Sequence, residues 1–559
     1  MSDAPSPNWS ARAAWLVGGV LAFRLVYAAV VPLDLITDEA YYWDWSRHLD
    51  WGYYSKPPLV AWVIAASTNT FGHSAFTVRL PAILCATAFL GVLFLFARRV
   101  TDGRTAFLAT ALAACTPGSV VMGLLMTIDA PLMLCWACAL WATWGFLNPT
   151  QASGGCQPSG GLSEDSPVSF THRKADAYRS PGVDLRFAPL VTLAIGVGLL
   201  AKQTMFAFPV LTGLFLITDR VGRGQLLKPI VWVAPALSLL FLTPVVWWNA
   251  ANDWITLEHT SHHFGGQMGA DAGTPLSLRL TRFFEFFGSQ FGVASPVTCG
   301  LFVSAAAGCV FSVRSLGRRE RFLACFSVVP LAGVLALAAN QRVQPNWPAP
   351  FTVTGAVLVA GLLTGSLTIP SPWGRGRLLA TDRMRAFWGR SAVGWGVTSA
   401  AVTASLAFVV GPLGIAGSGA DPTVRLRGWR DLAADFDAVR TELGRDVPIV
   451  FATGRTPVSP LAFYLDGRPE VRLWNPTGLV GCQYDLWPWP GPAGAFDAIV
   501  VTEAGRDVPT ALADVFGSVE TAGTVSVDLG SGRGREYALW TANAGGPALA
   551  AGVPSSKFD

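Results

Sequence analysis

The chain has 559 residues, of which 52% are apolar and only 14% are charged. Soluble proteins carry about 25% charged residues, so this composition excludes a chain built only from water-soluble domains. The formal net charge of +4 is nearly neutral for this length and gives no reason to expect a nucleic-acid partner. We therefore interpret the chain as a multi-pass membrane protein.

About eleven apolar segments are long enough to cross a membrane as helices. Their centres lie near residues 22, 88, 114, 138, 194, 211, 239, 302, 331, 357 and 401. They define an α-helical membrane domain over residues 13–412, preceded by a short N-terminus at residues 1–12. The two segments on either side of Lys202 are unusually short.

The distribution of arginine and lysine predicts the orientation of these segments. Alternate connections are rich in arginine, as in Arg98-Arg99 and Arg318-Arg319, whereas the connections between them hold few basic residues. Because basic connections stay in the cytoplasm, we expect a cytoplasmic N-terminus. A loop rich in Gly, Ser and Pro at residues 149–183 then lies in the cytoplasm and is expected to be flexible.

The composition changes near the end of the last apolar segment. Charged residues return, and apolar alternation at residues 447–452 and 496–501 predicts strands, with a helix at residues 429–443. The region 413–559 is therefore predicted to be a small α/β domain outside the cytoplasm.

The first outer loop, residues 34–75, combines acids with aromatic residues. With Thr37 as its N-cap, a helix would place Tyr41, Trp45 and Leu49 on one face, which suggests a helix lying along the membrane surface. Asp38 and Glu39 would occupy its first turn. There the helix dipole stabilises acids, but a carboxylate held beside the bilayer can also serve as a general base.

Several isolated polar residues lie at predicted outer positions. Lys56 precedes Pro57-Pro58, and Lys202 interrupts an apolar stretch, where an ammonium is costly and usually faces a cavity with a partner. Either cation could bind a lipid phosphate, although snorkelling also explains Lys56. Asp129 either caps a helix or lines a site. Arg342 is either a second phosphate contact or part of a solvated turn.

Another outer loop contains His259, His262 and His263. Their helical spacing could bind a divalent metal, with interfacial histidines as the alternative. No other cofactor follows from the sequence.

Taken in order, these short motifs resemble the GT-C superfamily of polyprenyl-phosphate-sugar glycosyltransferases, in particular its bacterial families 39 and 83. This group includes aminoarabinose transferases of lipid A, protein O-mannosyltransferases and rhizobial galacturonosyltransferases. The resemblance covers roughly residues 10–365 and is carried by the segments Asp38-Glu39-Ala40-Tyr41-Tyr42-Trp43, Trp51-Gly52-Tyr53-Tyr54, Lys56-Pro57-Pro58-Leu59, Asp129-Ala130-Pro131-Leu132, Lys202-Gln203-Thr204 and Pro345-Asn346-Trp347-Pro348-Ala349.

The resemblance implies a role for each matched residue. It implies that Asp38 is the catalytic base with Glu39 beside it, and that the donor phosphate is held by cations. The cations are Lys56 and Lys202, with Arg342 as a third candidate. The resemblance also implies that Asp129 and the Asn346-Trp347 turn line the substrate cavity, and Tyr42, Tyr54 and His263 are further candidates for substrate binding.

The implied reaction moves a sugar from a polyprenyl-phosphate donor to a lipid, glycan or protein acceptor outside the cytoplasm, with inversion at the sugar. Membrane lipids would be the other partners. Two further interpretations stay open: a multi-pass transporter or lipid flippase, because intramembrane charges also mark translocation paths, and an envelope assembly protein whose outer domain binds a partner. The sequence identifies neither the sugar nor the acceptor.

Overall fold

The structure is a computed structural model that describes residues 7–149, 182–261, 275–372, 376–444, 447–487 and 496–545. Over these ranges the chain is mostly helical, with one small sheet domain near the C-terminus. The helices before this domain are α1 Trp9–Val30, α2 Thr37–Arg47, α3 Leu59–Phe71, α4 Ala75–Val100, α5 Gly103–Ala114, α6 Pro117–Met122, α7 Asp129–Leu147, α8 Ala188–Ala201, α9 Ala207–Thr218, α10 Arg220–Leu226, α11 Pro229–Ser238, α12 Thr243–Ala251, α13 Ile255–Ser261, α14 Leu276–Ala294, α15 Pro296–Phe311, α16 Arg318–Asn340, α17 Ala349–Thr364 and α18 Asp382–Val409.

Many of these helices are suited to a bilayer. Six stretches are long and apolar enough to cross it, and two further helix pairs qualify if each bent pair is one span. The six stretches are Trp9–Val30, Ala75–Val100, Asp129–Leu147, Pro229–Ala251, Arg318–Asn340 and Asp382–Val409. The chain is thus a multi-pass membrane protein, while the count of about eleven spans stays a prediction.

Local sequence explains where several helices begin and end. Ser74 and Thr77 cap the start of α4 reciprocally, each side-chain oxygen accepting the other residue's backbone N–H. Pro117 divides the segment predicted near residue 114 into α5 and α6, because proline supplies no N–H to continue a helix and is favoured at the first position of a new one.

The core of the membrane domain is aromatic and aliphatic. Trp136 of α7 is fully buried and meets Phe208, Phe326 and Phe351 edge-on, with ring centroids 5.0–6.3 Å apart. These rings come from α9, α16 and α17, so α7 is a central helix that connects the others. Edge-to-face contacts of this kind stabilise a core beyond the burial of area alone.

The two ends of α7 differ in chemistry. At its C-terminal end, Arg318 donates to the backbone oxygen of Leu147, to Gln225 and to Asp219. At the N-terminal end, 19 residues and about 28 Å away, Asp129 begins the helix. The arginine-rich connections lie at the first end and the candidate site lies at the second.

The C-terminal domain is an α/β unit. Its five-stranded sheet, in the order β2-β1-β3-β5-β4, is formed by β1 Ile449–Phe451, β2 Val471–Leu473, β3 Ala498–Glu503, β4 Ser518–Gly530 and β5 Arg533–Asn543. β1 is parallel to β2 and β3, whereas β5 is antiparallel to β3 and β4. The helices are α19 Trp429–Leu443, α20 Val458–Tyr464 and α21 Thr510–Ala513. The predicted helix and both predicted strands are therefore present.

Helix α2 packs against this domain. The Tyr41 hydroxyl accepts the N–H of Gln483 at 2.5 Å, and the Trp43 ring meets Phe463 edge-on at 4.8 Å. Tyr41 and Trp45 are both fully buried. Protein therefore covers Tyr41 and Trp45 of this face, whereas Leu49 is 58% exposed, and the placement of α2 along the membrane surface stays a prediction.

Candidate active site

The two acids in the first turn of α2 lie in different surroundings. The Asp38 side chain is 54% exposed, whereas that of Glu39 is fully buried. Consecutive residues on an α-helix are about 100° apart around its axis, so neighbours in sequence can face solvent and core respectively.

Glu39 forms a buried ion pair with Arg79 of α4. Its carboxylate accepts Nε and Nη2 of Arg79, both at 3.0 Å, and the backbone N–H groups of Met126 at 2.8 Å and Ile36 at 3.1 Å. Each oxygen thus accepts two hydrogen bonds, which uses the acceptor capacity of a carboxylate. Glu39 holds α2, α4 and the segment before α7 together and has no free lone pair to accept a substrate proton.

Asp38 is free to accept a proton. Within the described ranges its one ion-pair partner is Arg455 of the C-terminal domain, whose Nη2 lies 3.8 Å from Oδ1. This distance exceeds the 2.7–2.9 Å typical of a charge-assisted hydrogen bond, so the contact leaves the carboxylate available.

A second polar group lies at the start of α7. Asp129 is buried, and its Oδ1 accepts Nζ of Lys202 at 2.7 Å while its Oδ2 accepts Nδ2 of Asn346 at 2.7 Å. Helix α8 ends just before Lys202, because the backbone of Lys202 is extended. The chain then continues into a short 3-10 helix, Gln203–Phe206. The structure therefore joins three residues that the sequence analysis selected separately.

Lys56 is a half-buried cation beside these groups. Among the residues that the structure describes, none forms a hydrogen bond or ion pair with its ammonium. Burial lowers the pKa of Lys56 and the nearby cation of Lys202 lowers it further, while Asp38 and Asp129 oppose the shift. Lys56 thus lies within electrostatic reach of both acids and keeps its donors free for an anionic ligand.

Two tyrosines surround this cluster. Burial raises the pKa of Tyr42 well above its ordinary value, and the carboxylates of Asp38 and Asp129 raise it further, so its phenol stays protonated. The Tyr54 hydroxyl lies 3.2 Å from Nδ1 of His259, and the Tyr54 N–H donates to Gln483 at 2.7 Å.

Glycine is required where the first loop turns back toward this cluster. A Cβ at Gly52 would lie 2.7 Å from the Trp248 ring, so a larger residue would displace either chain. Trp248 is held in turn by its Nε1, which donates to Asp50 at 2.6 Å.

The remaining predicted residues are Arg342, Trp347 and the histidines His262 and His263. Arg342 is exposed, and no contact joins it to the cluster within the described ranges. Trp347 is half-buried in the same loop as Asn346. His263 and His262 lie outside the described residues, and the remainder of the described chain contains no group of three residues suited to holding a metal ion.

Two arginines of this region were missed by the sequence analysis. Arg79 carries a signal, since an arginine in the first turns of an apolar helix is costly unless it has a partner. Arg455 carries none, because its neighbours Thr453-Gly454 and Thr456-Pro457 indicate only a loop after a strand.

The chain is similar in sequence to known glycosyltransferases. The sequence profile of the family described as dolichyl-phosphate-mannose-protein mannosyltransferase matches residues 55–154. The lipid A galacturonosyltransferase RgtD of Rhizobium johnstonii is 28% identical over 353 residues, which are 62% of this chain and 64% of that protein. The chain thus spans slightly less than two thirds of that relative.

The fold resembles that of ArnT from Cupriavidus metallidurans. Crystal structures of ArnT in the apo state and bound to undecaprenyl phosphate both align with a TM-score of 0.58 at 16% identity. Each alignment covers 95% of this chain and 98% of ArnT. The predicted fold class and the predicted resemblance are thereby confirmed.

Proposed function

We propose that this chain, a member of the GT-C superfamily of glycosyltransferases, transfers a sugar from a polyprenyl-phosphate donor to a hydroxyl of an envelope acceptor. Lipid A or lipopolysaccharide, another glycan and a protein are the candidate acceptors. The observation that carries the proposal is Lys56, a cation with no partner among the described residues, within electrostatic reach of the exposed carboxylate Asp38 and of the Lys202–Asp129–Asn346 group.

The reaction makes two demands on the protein. A phosphate leaving group develops negative charge as its bond to the sugar breaks, and the acceptor hydroxyl must lose a proton. Lys56 stabilises the first charge with donors that none of the described residues uses. Asp38 accepts the proton, since its lone pairs are open to solvent.

Lys202 supports this arrangement indirectly. Its ammonium already pairs with Asp129, so it contributes less net charge than Lys56 to an incoming phosphate. The pair instead holds the break after α8 against the start of α7. Asn346 extends the same group to the loop after α16.

Direct attack by the acceptor oxygen inverts the sugar. The bond from that oxygen to the anomeric carbon forms as the bond to the phosphate oxygen breaks. The hydroxyl proton passes to Asp38, and polyprenyl phosphate leaves. A single displacement therefore needs no covalent enzyme intermediate and uses one base, Asp38.

The chemistry is proposed to take place outside the cytoplasm of a bacterium, at the inner membrane. The arginine-rich connections and the candidate site lie at opposite ends of α7, as the positive-inside rule requires for this orientation. The relative RgtD is named for lipid A and ArnT was crystallised with undecaprenyl phosphate, which supports a lipid-borne donor and an envelope acceptor.

Transfer in proteoliposomes tests the proposal. The purified protein is supplied with polyprenyl-phosphate donors carrying radiolabelled sugars and with lipid A as acceptor. Asp38→Asn should lower kcat by about 10²- to 10⁴-fold, the usual contribution of a general base. Lys56→Ala should raise KM for the donor.

Matched controls separate these effects from general damage. Lys228→Ala removes another half-buried lysine that precedes a proline, at the opposite end of α7, and Asp435→Asn neutralises an exposed helical aspartate. Both should keep wild-type transfer. Movement of the lipid donor across the bilayer without any covalent product would contradict the proposal and favour a flippase.

A further inference from the structure

We propose that Arg455 recognises an anionic group, a phosphate or a carboxylate, on the acceptor, and that the C-terminal domain thereby selects acceptors. This inference rests on the proposed function and adds a specificity-determining residue to it. Arg455 lies in the loop at residues 452–457, far along the chain from the short motifs of the membrane domain.

The fold brings this loop to the candidate site. It follows β1, the middle of three parallel strands, and so leaves the sheet at its carboxyl edge. Open α/β sheets bind ligands at this edge. Here the edge faces the first turn of α2, where the Thr37 hydroxyl lies 3.5 Å from the backbone oxygen of Thr456 and Arg455 reaches Asp38.

The Arg455 guanidinium is held near Asp38 and Tyr41, but its hydrogen-bond donors are not all engaged. Its Cζ lies over the Tyr41 ring, 4.7 Å from the ring centroid, and its side chain is still 40% exposed. Its ion pair with Asp38 is long, at 3.8 Å, in contrast with the two 3.0 Å bonds between Arg79 and Glu39. Arg455 therefore has donors available for a ligand.

The positions of the charges favour binding of the acceptor, and not of the donor, by Arg455. Lys56 lies on the side of the membrane helices, where a lipid-borne phosphate arrives, and its donors are unused by the part of the chain that the structure describes. Arg455 approaches Asp38 from the soluble domain instead, so the acceptor hydroxyl that Asp38 deprotonates comes close to Arg455. A planar guanidinium matches phosphate and carboxylate with two parallel hydrogen bonds, which a lysine cannot reproduce.

The test compares one glycolipid acceptor in three forms: with a phosphate monoester, with a carboxylate in its place, and neutral. Arg455→Ala should lower kcat/KM about 10- to 100-fold for the form that the wild type prefers, mainly through KM, and should cause no loss with the neutral form. Arg455→Lys should recover only part of the loss. Whichever anionic form shows the larger effect identifies the group.

A matched arginine controls for changes in domain docking. Arg430, also in the C-terminal domain, lies 3.8 Å from the carboxylate of Asp34 and over the Tyr464 ring at 5.6 Å, and within the described ranges it forms no ion pair with Asp38. Arg430→Ala should keep the wild-type preference for the charged acceptor. Equal losses in the two alanine variants, or equal effects of Arg455→Ala on charged and neutral acceptors, would overturn the inference.

Binding of the three glycolipids is measured alongside transfer, by tryptophan fluorescence. If the wild type transfers no sugar to any of them, the proposed function fails, whereas the inference is still decided by binding. Tighter binding of a charged form that disappears in Arg455→Ala supports it. Equal binding of all three forms to the wild type refutes it.

Discussion

Replacing Glu39 with glutamine should destabilise the protein strongly, whereas replacing its neighbour Asp38 with asparagine should remove activity and leave stability almost unchanged. The two substitutions are chemically the same, since each converts one carboxylate of the first turn of α2 into an amide. Their surroundings differ, because Glu39 is fully buried and the Asp38 side chain is 54% exposed.

The structure indicates the size of the effect at Glu39. Its carboxylate accepts four hydrogen bonds, two of them from Arg79, whose side chain is only 3% exposed. A glutamine has a single acceptor oxygen, and its NH₂ group would face N–H donors. Breaking a buried ion pair from one side costs about 3–5 kcal/mol, since it leaves the other charge uncompensated.

Replacing Asp38 should change activity and hardly change stability. Its one described ion pair is 3.8 Å long and exposed, and exposed pairs contribute at most about 1 kcal/mol. The midpoint of thermal unfolding should therefore hardly move. Transfer should fall by about 10²- to 10⁴-fold, because the base is removed.

Thermal unfolding in detergent, followed by intrinsic tryptophan fluorescence, and transfer in proteoliposomes together check both outcomes. The double variant Glu39→Gln, Arg79→Leu removes both buried charges and should be more stable than Glu39→Gln alone. A Glu39→Gln protein with wild-type stability and no activity would refute the division of roles, since Glu39 would then act in the reaction itself.

Three further outcomes are expected. Because burial lowers the pKa of Lys56, KM for the donor should begin to rise with pH below the usual lysine range near 10.4, and Lys56→Arg should abolish that rise in kinetic assays across pH. Asp129→Asn should leave the ammonium of Lys202 without its partner, which lowers kcat/KM for transfer and costs about 1–3 kcal/mol in thermal unfolding. Tyr484→Phe should cost a similar amount in the same unfolding assay, because the buried Asp44 carboxylate loses the hydroxyl that donates to it at 2.8 Å.

The parts of the site that the sequence predicts are those where a polar residue interrupts an apolar pattern. Lys202 is recognisable because an ammonium at membrane depth requires a partner, and the structure supplies Asp129 at 2.7 Å. Asn346 completes the group from the loop after α16. Scarcity of charge thus makes individual residues informative within the membrane domain.

The sequence does not show which of the two acids of α2 is buried, and it does not show what covers the aromatic face of this helix. A first-turn position does not distinguish an exposed acid from a buried one, so Asp38 and Glu39 look equivalent until the partner Arg79 is placed. Likewise, the aromatic face that includes Tyr41 has the pattern of a membrane-surface helix. Only tertiary structure shows that the C-terminal domain covers it.

Composition marks the C-terminal domain as a separate unit, whereas in the fold this domain packs against the first outer loop. Hydropathy places a boundary near residue 413, yet Asp34 of the first outer loop accepts the backbone N–H of Trp429 at 2.8 Å and so caps α19. Tyr41 and Asp44 are held by residues of the same domain.

Deletion of the region after residue 415 would therefore uncover α2 and disturb Asp38. An inactive truncation would fit both an enzyme and an assembly protein, because the first outer loop and the C-terminal domain depend on each other. Point substitutions at Asp38 and its neighbours, which keep this interface, are the changes that distinguish the two.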